Sequence, residues 1–236
     1  MTVLALPHTL VVATAASRVI VEPLRLEAGE WLLLRPERDA PGADPASALA
    51  RALVALESVH EGQVELFGDD VALLGYAGLA SLRKRMALVP SSGGLLSNRT
   101  LRQNVALPIS VHRAYDELSE RETVTVLLAR FELLEAADLH AHQVTGTMRH
   151  RACVARATSL APELFVVEGT GEFVSMSQPG LSWRRLLQER DERGAALVAC
   201  VARTDEDFER WFAAVGGRLA TYRTAPAEAN EEGWLP

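Results

Sequence analysis

Between Gln143 and Gly171 the chain reads QVTGTMRHRACVARATSLAPELFVVEGTG, and this stretch limits the fold more than any other. A polar loop with Gly146 leads into a segment whose apolar residues Cys153, Val154, Ala157 and Leu160 recur at helical spacing. Pro162 stops that helix, because proline has no N–H with which to continue it. Leu164 to Val167 is then an unbroken apolar run, which predicts a strand buried on both faces. It ends in the carboxylate Glu168. Open α/β sheets place their chemistry at the carboxyl ends of parallel strands, so Glu168 stands where a functional group is expected.

The rest of the chain extends this pattern. Leu10 to Val21 and Pro23 to Leu34 read as strands of a β-rich N-terminal edge with a turn at Ala28-Gly29. Ala46 to Glu57 reads as a helix with Leu49, Leu53 and Leu56 on one face. His112 to Val144 is expected to be helical, with Leu118, Val124, Leu127, Leu128 and Phe131 at helical spacing. Leu181 to Arg193 is a further helix, presenting Trp183, Leu186, Leu187 and Arg190 on one face and capped by Gly194. Ala195 to Ala202 is another buried strand. Asp205 is placed to cap a last helix carrying Phe208, Trp211, Phe212 and Val215.

Composition excludes several function classes. With 236 residues, 48% of them hydrophobic, the chain can bury one sizeable core. Disorder is expected only in the Glu-rich tail from Ala225 to Pro236. A formal charge of -7 argues against a nucleic-acid partner. Cys153 and Cys200 are the two cysteines, both inside apolar runs, and read as buried thiols of a reducing compartment. No apolar run reaches the ~18 to 20 residues a membrane span needs, and Met1 to Val21 lacks the cationic start of a signal peptide. His140, His142 and His150 have no cysteine or carboxylate completing a ligand spacing, so they read as surface histidines and no metal site is expected. Of 24 basic residues only Lys84 is a lysine, leaving 23 arginines.

The stretch from Thr145 through Glu168 resembles the ATP-binding subunit of ABC transporters. In that family a loop of the LSGGQ or LSGGM type, an Arg-containing helix and DPELLLLDEPT follow in the same order and spacing. The likeness extends over nearly the whole chain: GQVELFGDD, Gly62 to Asp70, is similar to the family's hairpin, and Leu82 to Pro108 to its LRRRIGFVFQ…LTVRENVALPL. The form around Asn104 to Pro108 most resembles the lipid-transport (Mla or MCE-linked) branch. Arg218 to Arg223 resembles the closing strand. The resemblance implies a P-loop NTPase-like α/β fold, with a RecA-like core, a β-rich N-terminal subdomain and a helical signature subdomain. It also implies a single domain over 1–236, divided into a core of 1–95 and 149–224, a helical part 96–148 that receives a permease, and a tail 225–236.

Against that family, the groups that do chemistry are changed. Phosphate loops work through backbone N–H groups at a helix N-terminus, glycines for close approach and a lysine for the outer phosphates. Residues 35–47, RPERDAPGADPAS, hold Pro36, Pro41 and Pro45, a single glycine (Gly42) and no lysine. Gly42 and Ser47 are what remain to touch a nucleotide. Lys84 lies about forty residues downstream. The family's metal-contacting glutamine corresponds to Ser91, its metal-organising aspartate to Glu168, its catalytic glutamate to Gly169 and its switch histidine to Ala202. The signature becomes Val144-Thr145-Gly146-Thr147-Met148, which keeps a hydroxyl at Thr145 and the glycine at Gly146 but adds a side chain at Thr147. The family's adenine stacks on an aromatic residue in the N-terminal strands, and no aromatic residue precedes Trp31.

The reading these residues favour is a degenerate, non-hydrolysing nucleotide-binding-domain subunit. It would lie in the cytoplasm on the inner face of the membrane, beside a permease and an intact ATP-binding paralogue or a second copy of itself. No cofactor is expected; ATP and magnesium enter only if the site is rearranged or shared with a partner. One alternative is an active ATPase in which Arg35 or Arg38 replaces the lysine and Glu168 holds the metal. Another is a soluble scaffold without a permease.

Overall fold

The structure, a computed structural model, describes residues 1–37, 45–91, 94–112, 116–169, 180–203 and 206–227. Its strands are β1 (Thr2–Leu6), β2 (Leu10–Ala13), β3 (Ser17–Val21), β4 (Leu24–Glu27), β5 (Trp31–Pro36), β6 (Glu65–Leu66), β7 (Asp69–Asp70), β8 (Met86–Val89), β9 (Leu164–Gly169), β10 (Ala196–Val201) and β11 (Arg218–Pro226). The helices are α1 (Pro45–Leu53), α2 (Tyr76–Leu82), α3 (Leu101–His112), α4 (Glu117–Arg130), α5 (Gly146–Thr158), α6 (Leu181–Arg193) and α7 (Glu206–Ala214).

The larger sheet has the order β2-β3-β11-β5-β10-β9-β8. From β11 to β8 its neighbours run parallel, and the antiparallel hairpin β2-β3 extends it at one side. A smaller antiparallel sheet, β4-β1-β6-β7, is built from the N-terminal strands and the Glu65–Asp70 hairpin. Successive residues of a strand face opposite sides, and the central strands use both. Trp31, Leu33, Phe165, Val167, Leu197, Ala199 and Val201 join one core with α3 to α7, while Leu32, Leu34, Leu164, Val166, Ala196, Val198 and Cys200 join a second with α1 and the smaller sheet. That is why β9 and β10 read as continuous apolar runs.

The predicted strand at Leu164 and the helix Leu181–Arg193 with Gly194 in the left-handed region (φ 68) are where the sequence puts them. Other expectations need correction. Leu10 to Val21 is two strands, since Thr14 folds the chain back through its hydroxyl, which bonds the Ser17 N–H and C=O. Helix α1 stops at Leu53, where Ala55 turns left-handed (φ 54) and the Leu56 N–H reaches back to the Arg51 carbonyl at 2.8 Å, a Schellman ending. Leu56 is left 53% exposed rather than on the buried face. The segment from His112 to Val144 is not one helix. Helix α3 already runs from Leu101, through Pro108, because Leu101, Val105 and Ile109 form its buried stripe. Helix α4 covers only Glu117 to Arg130, two short 3-10 turns follow, and Leu118 is exposed. Helix α5 ends at Thr158, before Pro162. At the other end Ala225 and Pro226, expected in a disordered tail, pair with Arg18 and Ser17 in β11. Asp205 and residues 228–236 lie outside the described residues. Among those described, no helix is long and apolar enough to cross a membrane.

The core above α6 and α7 is aromatic. Trp183 packs on Trp31, Phe208, Trp211 and Phe212 with ring centroids 5.5 to 6.3 Å apart, and the Arg190 guanidinium lies 5.2 Å from the Trp31 ring. The chain leaves this cluster at Gly216-Gly217. A Cβ on Gly217 would fall 2.3 Å from two ring carbons of Phe212, so Gly217→Ala is expected to lower stability by about 2 kcal/mol, measured by urea unfolding. Stability within about 0.5 kcal/mol of wild type would mean that the aromatic cluster yields more than its packing implies.

Candidate functional site

Register along the parallel strands assembles the candidate site. Glu168 is level with Cys200, Gly169 with Val201, and Val89 with Val167. The chain therefore delivers Ser91, Glu168, Gly169 and Ala202 to one edge, at the carboxyl ends of β8, β9 and β10. Glu168 is only 5% exposed, and its Oε2 accepts hydrogen bonds from the Ser91 N–H at 3.2 Å and the Ser91 hydroxyl at 3.3 Å. A buried carboxylate needs such donors. Gly169 has no side chain, and Ala202 adds a methyl group beside Val201, whose carbonyl takes the buried Tyr222 hydroxyl at 2.9 Å.

Helix α1 lies on the opposite face from α5 and packs on β9 and β10. Its first turn begins with Pro45, which has no N–H, and the Ser47 hydroxyl oxygen accepts a hydrogen bond from Arg51 Nη1 at 2.7 Å. Arg51 also bonds Glu57 at 2.6 Å. A concavity of about 470 Å³ opens here, lined by Ala13, Thr14 and Ala15 of the β2-β3 turn and by Ser47, Arg51 and Glu57. Among the described residues no aromatic side chain lines it, and Trp31 is buried in the core. Gly42 and Arg38 lie outside the described residues. Arg35 is placed on the α7 side of β5, where its Nε is 3.3 Å from Glu209. Lys84 is exposed just before β8, at the amino end of a strand whose carboxyl end leads to Ser91. The only lysine therefore lines neither that edge nor the concavity beside Ser47.

Thr145, Gly146 and Thr147 form the start of α5. Thr145 is the N-cap and its hydroxyl accepts from the Met148 N–H at 3.2 Å. Gly146 is the first helical residue, and Thr147 is exposed. Sequence reasoning missed two residues that join this helix to the other candidates. Arg156 of α5 donates to the Gly94 carbonyl at 2.7 Å. Asn104, fully buried, accepts from the Leu96 N–H at 2.7 Å and donates to the carbonyls of Leu96, Arg99 and Thr100. A polar residue beside the apolar stripe of α3 was the available signal.

These elements have counterparts in known proteins. The family model described as ABC transporter matches residues 46–168, half of the chain. The chain belongs to the ABC transporter family. A methionine import ATP-binding protein of Caulobacter vibrioides is 37% identical over 128 residues, covering 52% of this chain and 36% of the relative. One from Rhodococcus jostii is 34% identical over 153 residues, covering 64% and 44%. Each match thus spans less than half of the relative's length. A dimeric ATP-binding cassette in a post-hydrolysis state with ADP and Pi superposes with a TM-score of 0.74, over 92% of this chain and 93% of that one. At 18% identity it speaks for the fold alone, and it agrees with the expected P-loop NTPase-like architecture. By name these relatives are methionine import ATP-binding proteins, and they lend no support to the lipid-transport branch that the form of Asn104 to Pro108 suggested.

The histidines divide. His140 and His142 stack with centroids 5.7 Å apart. His150 is half-buried: it lies on α5 facing the start of α6, its Nδ1 3.5 Å from the Ser182 hydroxyl, and burial pushes its pKa down to about 4. Cys153 and Cys200 are both buried and not joined in a disulfide, and burial raises the Cys153 thiol to about 11. A histidine that stays neutral in the fold but titrates near 6.5 when unfolded removes stability as pH falls from about 6.5 toward 4, because the unfolded chain takes the proton first. The loss is on the order of 2 kcal/mol after allowance for partial exposure. In His150→Gln, unfolding midpoints measured from pH 7 to 4 should fall less steeply; an unchanged slope would place the acid sensitivity elsewhere.

Proposed function

We propose that this chain is a non-hydrolysing nucleotide-binding-domain subunit of an ABC transporter, serving as structural or regulatory partner of an intact ATP-binding subunit and a permease. The observation that carries the reading is at the carboxyl ends of β9 and β10, where Gly169 and Ala202 offer nothing that polarises a water molecule. The described residues around α1 also fit Mg–nucleotide poorly. Glu168 is satisfied by Ser91, Ser47 by Arg51, and Pro45 adds no N–H to the helix start. Groups that act as a unit are not repaired one at a time, and Arg35, the described candidate to replace the lysine, faces Glu209. No step of phosphate chemistry is therefore assigned to this chain's own loop.

Thr145 and Gly146 are the least altered part, an intact cap at the N-terminus of a 13-residue helix. In a head-to-tail pair they would face the partner's phosphate loop, so the composite site on the partner is the one left to turn over. The subunit would work on the cytoplasmic face of the membrane. The names of its relatives favour a methionine-import system over a lipid transporter as the system it serves.

The test is ATP turnover by a reconstituted complex of this chain, its paralogue and the permease. Gly146→Asp puts a carboxylate where the partner's phosphate would approach, and turnover should drop by about tenfold or more. Turnover equal to that of the unmutated complex would remove the signature role.

A further inference from the structure

Where α4, the end of α5 and α6 meet, a cavity of about 340 Å³ opens beside the turn that leads into β9, at the opposite end of that strand from Glu168. One part of its lining is cationic. Glu189 of α6 is only 2% exposed, and its two oxygens are shared between two arginines: Oε1 lies 3.2 Å from Arg130 of α4, and Oε2 lies 3.3 Å from Arg193, one turn along α6. The buried carboxylate fixes both guanidiniums without using them up. A quarter of the Arg130 side chain and about half of that of Arg193 stay exposed, and both line the cavity. Arg130 Nη2 meets Glu189 as an ion pair only, with no hydrogen bond made.

Another part of the lining accepts. Thr158 and Ser159 give their hydroxyl hydrogens to the carbonyls of Ala155 and Arg156, at 2.9 and 2.8 Å, so the two oxygens have only lone pairs left for the cavity. They stand at the C-terminal end of α5, where the helix carries partial negative charge. Glu122 of α4 adds an exposed carboxylate, and Val126 and Leu127 on the same helix supply apolar surface.

We propose that this cavity binds a small zwitterionic α-amino acid with an apolar side chain. Arg130 and Arg193 take its carboxylate, Glu122 and the Thr158 and Ser159 oxygens take its ammonium group, and Val126 and Leu127 cover its side chain. A simple anion would satisfy the guanidiniums and leave the acceptors idle, whereas a simple cation would meet two arginines. Two cations against two carboxylates suit a ligand with no net charge. The volume is at the low end of the ~300 to 1,000 Å³ of small-molecule sites, which favours a single amino acid over a peptide. Once bound, the ligand bridges α4 to the end of α5 and to α6.

Calorimetry of the full-length chain with L-leucine, together with amide shifts followed by NMR, tests this. L-Leucine should bind with a dissociation constant of about 1 mM or tighter, shifting the amides of Val126, Ser159 and Arg193 but not that of Val12, which belongs to the core on the other side of the sheet. 4-Methylpentanoate, which keeps the carboxylate and the side chain but lacks the amino group, should bind about tenfold more weakly. Glu122→Gln should weaken L-leucine by about tenfold and leave 4-methylpentanoate unchanged, while Arg193→Gln should weaken both by about tenfold. Both substituted side chains are largely exposed, so the fold is expected to survive either change. No saturable binding of L-leucine, 4-methylpentanoate bound as tightly as L-leucine, an affinity indifferent to either variant, or shifts confined to other residues would overturn the proposal. Binding is read on the chain alone, so its outcome is independent of turnover in the reconstituted complex.

Discussion

Burial of β5, β9 and β10 on both faces is the constraint from which the rest of the molecule follows. Each of these strands sends alternate side chains into two separate cores, and nearly all of those side chains are withdrawn from water. At roughly 25 cal/mol per Å² of apolar surface, a single buried leucine or valine contributes about 1.5 to 3 kcal/mol relative to exposure. Such strands cannot slip by one residue, since a slip would exchange every residue between the two cores. Fixed register then fixes the edge of the sheet, and Glu168, Gly169, Ala202 and Ser91 arrive there whether or not they do chemistry.

That separation of scaffold from chemistry means that the fold does not depend on which groups stand at the strand ends. The apolar alternation, the Schellman endings at Ala55 and Gly216, and the cap at Thr145 all serve packing and chain reversal. None depends on a phosphate or a metal. The polar residues at the strand ends and in α1 have partners within the chain: Glu168 has Ser91, Ser47 has Arg51, Arg35 has Glu209. In a buried or half-buried setting a polar group without a partner costs about 1 to 3 kcal/mol, so these internal partners let the fold stand alone.

Much of this was legible in the sequence because it depends on local pattern. The run Leu164 to Val167 and the helix Leu181–Arg193 with its Gly194 cap needed only periodicity and turn chemistry, and the Glu65–Asp70 hairpin was read from its likeness to the family's hairpin. What was not legible depended on distant partners. Nothing in the neighbourhood of Leu56 reveals that Ala55 turns left-handed and ends α1 early. His150 looks like its exposed neighbours until α6 is laid across it. Arg156 and Asn104 carry no motif, and their part emerges only when α3, α5 and the segment after β8 are seen together. The lipid-branch expectation found no support among the named relatives, and the structure suggests why its signal was weak: Asn104 to Pro108 carries helix packing and loop anchoring, and such constraints do not distinguish cargo.

The account turns on whether the purified chain binds nucleotide at all. Isothermal calorimetry of the full-length protein with ATP, with and without magnesium and up to millimolar ligand, measures this directly. The account predicts no heat of binding in either condition. Saturable binding with a dissociation constant well below cellular ATP, strengthened by magnesium and lost in Glu168→Gln, would contradict it and show that an arginine and an unfamiliar loop have rebuilt the site.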